Sequence, residues 1–518
     1  MKLKKFGLVL LFPMMLASCG GNTSSVAPAT SSSAENTSTE TSSTEQTSTS
    51  AEETCFIKED TTISVWSTTG KDNKVLLDQF IEEFQKAEPH VTVDNHIISG
   101  NYPDIKTNTL QGFGADNYGD LVVCYPDHVA DYINAGKAVD LTEYINNAEY
   151  GLSDKDDYYT QYIEEGQQYS IPGTYSLPYC SSTEAMYYNY DVLKGLDLSS
   201  YDATINGGNP ITKSYLENLT WEEMFEHLAP AIMAHDAANP NSKLVKDGDN
   251  MAVVGYDSDD NFFITLCAQY GIPYTHIDEV TGNGVFDFYE NEEARDKLAD
   301  ILVKLNGYYK KGYITTQGVL GAYTNTLFTA QNSLFSIGST AGVTHQFSTA
   351  NPMDVQIANL PYAAAGSLKT IKQGPSLCIL SHGALGKEDT TEVKNRKLAS
   401  WLLYKTITSA KNSTTWSVNT GYTPIRKSTQ NSNKWLEYID YEDLDDNTLE
   451  SLTARNAEYA ATDKTQNSLF TSPAFLGSST SRTAVGATIT QALKATSLDK
   501  AGALVILNNA YTEAKKAQ

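Results

Sequence analysis

The chain has little positive charge. Its 518 residues include 37 lysines and arginines against 63 aspartates and glutamates, so the formal net charge is -26 at pH 7. Contact with nucleic acid requires a basic surface that can neutralise phosphates. The shortage therefore argues against nucleic acid as a partner, and the acidic balance suits a protein exposed outside the cytoplasm.

Long apolar runs are also missing. Phe6 to Leu16 is an apolar run of eleven residues that follows three lysines, and it is too short to span a bilayer comfortably. This pattern is typical of an export signal. The end of the run, Leu16-Ala17-Ser18-Cys19, resembles the lipobox of bacterial lipoproteins. That resemblance implies a signal peptide over residues 1–19 and a lipid attached to Cys19; an ordinary signal peptide with a chance cysteine is the alternative.

The next segment lacks lysine, arginine and aromatic residues. Residues 20–55 consist largely of serine, threonine, glutamate, alanine and asparagine. Such a composition cannot bury enough apolar surface to offset the entropy lost on ordering, so we predict a disordered linker. The linker would hold a domain over residues 56–518 near the outer face of the cell membrane.

Cysteines are few and are not paired in motifs. Five remain beyond Cys19, they form no CxxC motif, and their number is odd. A disulfide framework is therefore not indicated, and most of them are expected to be buried small hydrophobic residues.

Catalytic and cofactor motifs are absent from the sequence. There is no GxSxG turn, no HExxH pair and no Walker-type glycine loop. The acidic stretch from Asp257 to Asp260 begins like a calcium loop, but Phe262 and Ala268 stand where a glycine and a bidentate acid are required. We predict a solvated acidic loop there, with ligand contact as the alternative. No metal or cofactor is expected.

The stretch from Ser181 to Glu184 places three hydroxyl groups and a carboxylate before an aromatic run. It has no adjacent lysine of the SxxK type, so nucleophilic catalysis is disfavoured against ligand binding. Hydroxyls and a carboxylate suit hydrogen bonding to a polyol. An ordinary structural loop is the alternative.

Secondary-structure patterns predict an α/β fold. Runs rich in β-branched residues at 61–66, 91–98 and 121–125 alternate with amphipathic helical segments, as in a parallel sheet with crossover helices. In open sheets of this kind, ligands bind beyond the carboxyl ends of the strands. Helices are also expected from Thr220, where Glu223 completes a capping box, over 291–314, and over 394–407.

Several blocks resemble one family. The motifs "ISVW", "FQKAEP", "DLVVCYPDHVADYINAGKAVDLTEYI", "LPYCSSTEAMYYNYDVLKGL", "TLFTAQNSLFSIGSTAGV" and "WSVNTGYTPIRKS" follow one another in the order found in extracellular solute-binding proteins (family 1) of bacterial ABC importers. The likeness is nearest to glycerol-3-phosphate-binding and maltose-type sugar-binding proteins. It implies a periplasmic-binding-protein-like fold of two lobes, with a hinge and a ligand cleft between them. The lobe boundaries expected are 56–173 with a middle segment near 328–375, and 174–327 with 376–518.

The resemblance also implies positions that contact the ligand. The matched positions, together with the carboxylate of the hydroxyl-rich stretch, are Tyr102, Asp127, Ser182, Glu184, Ser339, Gly374 and Tyr422. Two segments depart from the pattern. Asp257, Asp259 and Asp260 stand where glycerol-phosphate binders have tryptophans, and Phe475 stands where those proteins have an arginine. The lost arginine argues against assuming a phosphate ligand.

The expected function is a lipid-anchored, monomeric substrate-binding subunit of an ABC importer with no catalytic role. It would capture a small carbohydrate or polyol-type solute, such as a sugar, an oligosaccharide or a glycerol phosphate, and deliver it to the membrane permease. The alternative is a secreted, lipid-anchored glycoside hydrolase or another surface carbohydrate-active protein, because Asp127 and Glu184 could form a pair of catalytic carboxylates.

Overall fold

The computed structural model describes residues 55–68, 70–364, 366–440 and 447–518. The predicted signal peptide, Cys19 and the linker up to residue 54 lie outside the described residues. Among the residues that are described, no helix is both long and apolar enough to cross a membrane.

The β-strands of the described residues are mostly short. They are β1 Thr61–Ser67, β2 Val91–Ile97, β3 Leu121–Cys124, β4 Leu177–Pro178, β5 Glu184–Asn189, β6 Val254–Tyr256, β7 His276–Ile277, β8 Gly284–Val285, β9 Ile314–Thr316, β10 Phe335–Ser339, β11 Val355–Ala358, β12 Thr370–Ile371, β13 Ser376–Ile379 and β14 Leu469–Phe470.

Ten of these strands form two five-stranded sheets. The first has the order β2-β1-β3-β13-β4, and the second has the order β11-β5-β10-β6-β9. In the first sheet β1 runs parallel to β2 and β3, which confirms the alternating strand and helix pattern read from the sequence. Each sheet is the centre of its own large hydrophobic core.

The longer helices pack on the sheets and on one another. They are α1 Lys71–Ala87, α2 Tyr102–Gly112, α3 Pro126–Asn134, α4 Ala229–Ala238, α5 Asp259–Gln269, α6 Glu292–Lys310, α7 Thr391–Ile407, α8 Ala410–Thr420, α9 Leu449–Ala461, α10 Ser478–Lys494 and α11 Lys500–Lys516. Shorter helical segments include Thr142–Ile145, Thr160–Glu165, Gln317–Leu320, Asn325–Thr329 and the π-helical turn Glu223–Leu228.

Local sequence explains where these helices form. Leu77, Phe80 and Phe84 recur on one face of α1 and are buried against the first sheet. The predicted capping box is present, because the Thr220 backbone N–H donates to the Glu223 carboxylate at 3.0 Å and the Glu223 N–H donates to the Thr220 hydroxyl at 3.1 Å. The capping box satisfies the start of its helix with neighbouring residues alone, and the spacing of the apolar residues alone defines the stripe of α1.

The two sheets define two lobes, and the segments that build them differ from the boundaries expected above. Residues 328–375 were expected in the first lobe, but β10 and β11 hydrogen-bond to β5 in the second sheet. Conversely, β13 pairs with β3 in the first sheet, and α7 and α8 pack against α1 there. The physical reason is that strand partners are distant in sequence, so local composition does not identify the sheet that a strand joins.

The chain passes between the lobes more than once. It leaves the first sheet after β4, enters the second at β5, and returns between β11 and β13. After α8 it reaches the second lobe again, where α9 packs against β11 and α10 packs against α5 and α6. Crossings of this kind place several separate segments along one boundary between the lobes.

The five cysteines beyond Cys19 are all buried and none forms a disulfide. Burial raises the pKa of the Cys124 and Cys180 thiols, which keeps them in the neutral form. These residues therefore act as small core side chains, as the sequence predicts.

Candidate functional site

A cleft of about 980 Å³ is lined by residues of both lobes. The first lobe supplies residues around the start of α2 and α3. The second lobe supplies residues around the ends of β6 and β10, in the segment 317–326 and at the start of α10, and the crossing segments supply others. This volume is within the usual range for small-molecule sites.

The crossing segments are hydrogen-bonded side by side at the cleft. Ser182 and Gln373 exchange two backbone hydrogen bonds of 2.9 and 2.8 Å, and the Thr423 N–H donates to the Ser181 carbonyl at 2.7 Å. This arrangement brings Ser182, Gly374 and Tyr422 into the same lining although they lie far apart in sequence.

Gly374 is required by this close approach. Its φ angle is +99°, and a side chain there would place its Cβ 2.6 Å from the Cys180 carbonyl oxygen. Only glycine adopts such a backbone readily without a steric penalty. The residue therefore has a structural reason to be glycine in addition to its predicted backbone contact with ligand.

Side chains alternate along the hydroxyl-rich stretch. Ser182 and Glu184 line the cleft, whereas the Ser181 hydroxyl donates to the Gln373 carbonyl and the Thr183 hydroxyl donates to the Ile371 carbonyl. Successive side chains of an extended segment point to opposite sides. Two of the four groups are thus available to a ligand, and the other two hold the crossings together.

Tyrosine rings form the wall of the cleft on the first lobe. The Tyr102 and Tyr422 hydroxyls are 3.4 Å apart, and the rings of Tyr102 and Tyr125 have centroids 4.7 Å apart. Burial raises the pKa of all three phenols, so they stay neutral and can donate as well as accept hydrogen bonds.

Glu184 is a buried carboxyl group at the base of the second lobe's wall. It is 1% exposed, the Tyr256 hydroxyl donates to its Oε2 at 2.6 Å, and the Asn261 side-chain amide donates to its Oε1 at 3.2 Å. Burial raises the pKa of Glu184 to about 8, although these two hydrogen bonds oppose the rise. The group is therefore mainly protonated at neutral pH.

Arg482 lies in the cleft and was not identified from the sequence. Its Nε is 2.8 Å from the Asp260 carboxylate, and its guanidinium also donates to the Asn261 side-chain oxygen. The position expected to correspond to an arginine, Phe475, is instead 1% exposed and packs against Phe286 in the core of the second lobe. Arg482 belongs to α10 and lies seven residues after Phe475. The packing of α10 against α5 brings its side chain into the cleft.

A second basic residue of the cleft, Lys372, is fully paired. Its ammonium donates to the Glu165 carboxylate, and the two side chains are 1% and 6% exposed. Burial raises the pKa of Glu165, while the lysine charge opposes the rise. This pair joins a crossing segment to the first lobe.

The acidic stretch from Asp257 to Asp260 is not a solvated loop. Asp257 and Asp260 line the cleft, whereas Asp259 is 8% exposed and accepts hydrogen bonds from the Thr316 and Thr490 hydroxyls. Asp259 and Asp260 lie in the first turn of α5, whereas Asp257 precedes the helix. The solvated-loop interpretation is therefore wrong for this stretch.

Every ligand-contact residue predicted from the sequence lies in the lining of this one cleft: Tyr102, Asp127, Ser182, Glu184, Ser339, Gly374 and Tyr422. Their contact with a ligand stays a prediction. The predicted set of contact residues did not include Arg482, which lies in no local motif, Lys372, which lies two residues before Gly374, or Tyr125, which directly precedes the Pro126-Asp127 pair.

Residues 79–443 match the model of a protein family described as "Bacterial extracellular solute-binding protein". Since the match covers well over half of the sequence, the chain belongs to this family. It is therefore an extracytoplasmic binding protein and not an enzyme. A comparison with curated proteins finds no match.

Solved structures share the two-lobed fold at low identity. The chain is similar to UgpB from Mycobacterium tuberculosis in complex with glycerophosphocholine, with TM-score 0.63, 16% identity, and coverage of 88% of this chain and 98% of that one. It is also similar to the GacH receptor of Streptomyces glaucescens (TM-score 0.60, 15% identity, coverage 88% and 98%). Maltose-bound MalE3 of T. maritima gives TM-score 0.60 at 15% identity, with coverage of 88% and 100%.

Proposed function

We propose that this protein is the substrate-binding subunit of an ABC importer for a small carbohydrate or polyol-type solute. The observation that carries the proposal is the cleft between the lobes, where tyrosine rings of one lobe face hydroxyls, amides and carboxylates of the other. Aromatic faces with a few polar groups fit a ring or chain of hydroxyl-bearing carbons. The structural neighbours are consistent with this class, because they are complexes with glycerophosphocholine, acarbose and maltose.

In this proposal the seven predicted residues contact the solute together. Tyr102, Asp127 and Tyr422 contact it from the first lobe, Ser182 and Gly374 contact it from the crossings, and Glu184 and Ser339 contact it from the second lobe. Because a ligand stabilises the closed state only through contacts that exist in that state, residues of both lobes contribute jointly to affinity.

The protein would be held at the membrane by lipid. The support is the lipobox-like sequence before Cys19 and the linker up to residue 55, which tethers the binding domain beside its permease. The full-length protein should fractionate with membranes and should be released by Cys19→Ser. Release of the unaltered protein into the medium would contradict the anchor.

Calorimetry tests the binding function directly. A panel of maltodextrins, disaccharides, polyols and glycerol phosphates is titrated into the protein after unfolding and refolding to remove copurified ligand. At least one member should bind with a defined stoichiometry of one. If no member of the panel binds, the proposed solute class is wrong.

A further inference from the structure

The cleft carries more negative than positive side chains. Its lining contains five carboxyl groups against one lysine and one arginine; the acids are Asp127, Glu165, Glu184, Asp257 and Asp260. His345 also lines the cleft. At neutral pH, protonation of Glu184 removes one carboxylate charge, and the remaining four carboxylates still outnumber the two basic groups.

Both basic groups are already neutralised by protein partners. Lys372 is paired with Glu165, and Arg482 is paired with Asp260, which also accepts a hydrogen bond from the Ser258 hydroxyl at 2.6 Å. A phosphate bound to Arg482 would have to compete with the Asp260 carboxylate and would lie near other acids. The cleft is therefore poorly suited to a doubly charged anion.

Two carboxylates of the lining form no ion pair with a lysine or arginine in the described parts of the chain, although Arg482 acts electrostatically on Asp127 and His345 acts on Asp257. Among the described residues, no lysine or arginine lies within ion-pair distance of Asp127 on the first lobe or Asp257 on the second. The Thr324 hydroxyl donates to Asp257 Oδ1 at 2.7 Å, and the Thr324 backbone N–H donates to the same oxygen. The Oδ2 of Asp257 lies beside Gly338, where a side chain would place its Cβ 3.0 Å away. Glycine at position 338 thus leaves space next to this carboxylate.

Unpaired acceptors lie in the same lining. Gln346 is 2% exposed, and its Oε1 has no hydrogen-bond partner within the described parts of the chain; the same holds for the Oε1 of Gln373. A buried polar atom without a partner is costly, so these carbonyl oxygens require donors from elsewhere. Both line the cleft, and a ligand can supply the donors.

From the excess of unpaired carboxylates and acceptors, we infer that the solute carries a positively charged group, an amine on a sugar or polyol, and that Asp257 and Asp127 recognise it. A protonated amine offers up to three donors and no acceptor, which matches a lining in which the unpaired atoms are acceptors. The tyrosine rings of the first lobe can also stabilise a cation over their faces. This inference rests on the proposed function, since it specifies the chemical class of that solute.

Matched probes separate the charge from the shape of the solute. The affinity for glucamine is compared with that for sorbitol, and the affinity for glucosamine with those for glucose and for neutral N-acetylglucosamine. The glucosamine disaccharide is compared with cellobiose. Glycerol phosphate serves as the anionic probe. Titration calorimetry is run at about pH 7, where an alkyl amine is protonated. In the pair that binds best, the amine should bind at least about tenfold more tightly than its neutral partner. The ratio should fall as salt rises from about 0.05 to 0.5 M, because salt screens the cation from the carboxylates.

Substitutions connect this selectivity to the carboxylates. Asp257→Asn keeps an acceptor for Thr324 but removes the charge, and the amine-to-neutral affinity ratio should fall at least about fivefold; Asp127→Asn tests the first lobe in the same way. Asp94→Asn is the matched control, since Asp94 is an exposed residue of β2 outside the lining, and it should leave the ratio unchanged. Circular dichroism checks that each variant is folded. The salt dependence of the unaltered protein provides a test if a variant does not fold.

The outcomes distinguish this inference from the function on which it rests. Tighter binding of neutral sugars or of glycerol phosphate would overturn the inference and leave the solute-binding proposal intact. Amine selectivity that survives Asp257→Asn and Asp127→Asn would overturn the assignment to these residues. If neither charged nor neutral members of the panel bind, both the inference and the proposed solute class fail.

Discussion

Replacement of Glu184 by glutamine should change how the stability of the protein depends on pH. Glu184 is 1% exposed, and burial raises its pKa from an ordinary value of 4.5 to about 8. A carboxyl group with a raised pKa binds a proton in the folded state while the unfolded chain has already lost it, so folding stability falls as pH rises between the two pKa values. One such group contributes about 1.4 kcal/mol per pH unit. The unaltered protein should therefore lose about 3–5 kcal/mol between pH 5 and pH 9 from this group alone.

Urea unfolding of the unaltered protein and of Glu184→Gln, measured in parallel across this range, isolates the effect because other titrating groups cancel in the difference. Glutamine introduces a second set of N–H donors opposite Asn261, which adds a cost that does not depend on pH. The unfolding free energy of the variant minus that of the unaltered protein should therefore rise with pH. Its value at low pH is set by the cost of the glutamine, which does not depend on pH. Glu82→Gln, on the exposed face of α1, is the matched control and should show no such change. Parallel curves for the unaltered protein and Glu184→Gln would refute the assignment of a raised pKa to this carboxyl group.

Four further single substitutions have expected outcomes. Lys372→Met should lower the free energy of unfolding in urea by about 3–5 kcal/mol, because it leaves the Glu165 carboxylate buried without its partner, and the double variant with Glu165→Leu should recover most of this loss; a double variant as unstable as the single one would contradict the argument. Tyr102→Ala and Tyr422→Ala should each weaken solute binding by about 1–3 kcal/mol in calorimetry if these rings bury the ligand, and unchanged affinity in both would remove them from the site. Phe475→Ala should lower stability by about 3–5 kcal/mol in thermal unfolding while leaving affinity unchanged, and a selective loss of binding would show that Phe475 is part of the cleft.

The position of Arg482 changes the argument about the ligand. Judged from the sequence, the loss of an arginine at Phe475 disfavoured a phosphate. An arginine is present in the cleft after all, but its charge is taken up by Asp260 and it also donates to Asn261. The case against a doubly charged anion therefore rests on how the cleft pairs its charges.

The crossing segments show why residues predicted from separate motifs lie together in the lining. Ser182, Gly374 and Tyr422 come from three segments, and backbone hydrogen bonds from Ser182 to Gln373 and from Thr423 to Ser181 hold these segments together. Family resemblance located each residue separately. Their convergence depends on pairings across more than 180 residues, which no local pattern encodes.

The sequence by itself determined the features that depend on neighbouring residues. The strand and helix order of the first lobe follows from β-branched runs alternating with amphipathic segments, and the capping box at Thr220 follows from two residues three positions apart. The tertiary structure decided everything that depends on distant partners. It placed β10 and β11 in the second sheet, brought Arg482 beside Asp260, and buried Glu184 deeply enough to keep its proton. The physical reason is that propensity and periodicity act over a few residues, whereas sheet pairing, burial and charge neutralisation depend on which segments meet in the folded chain.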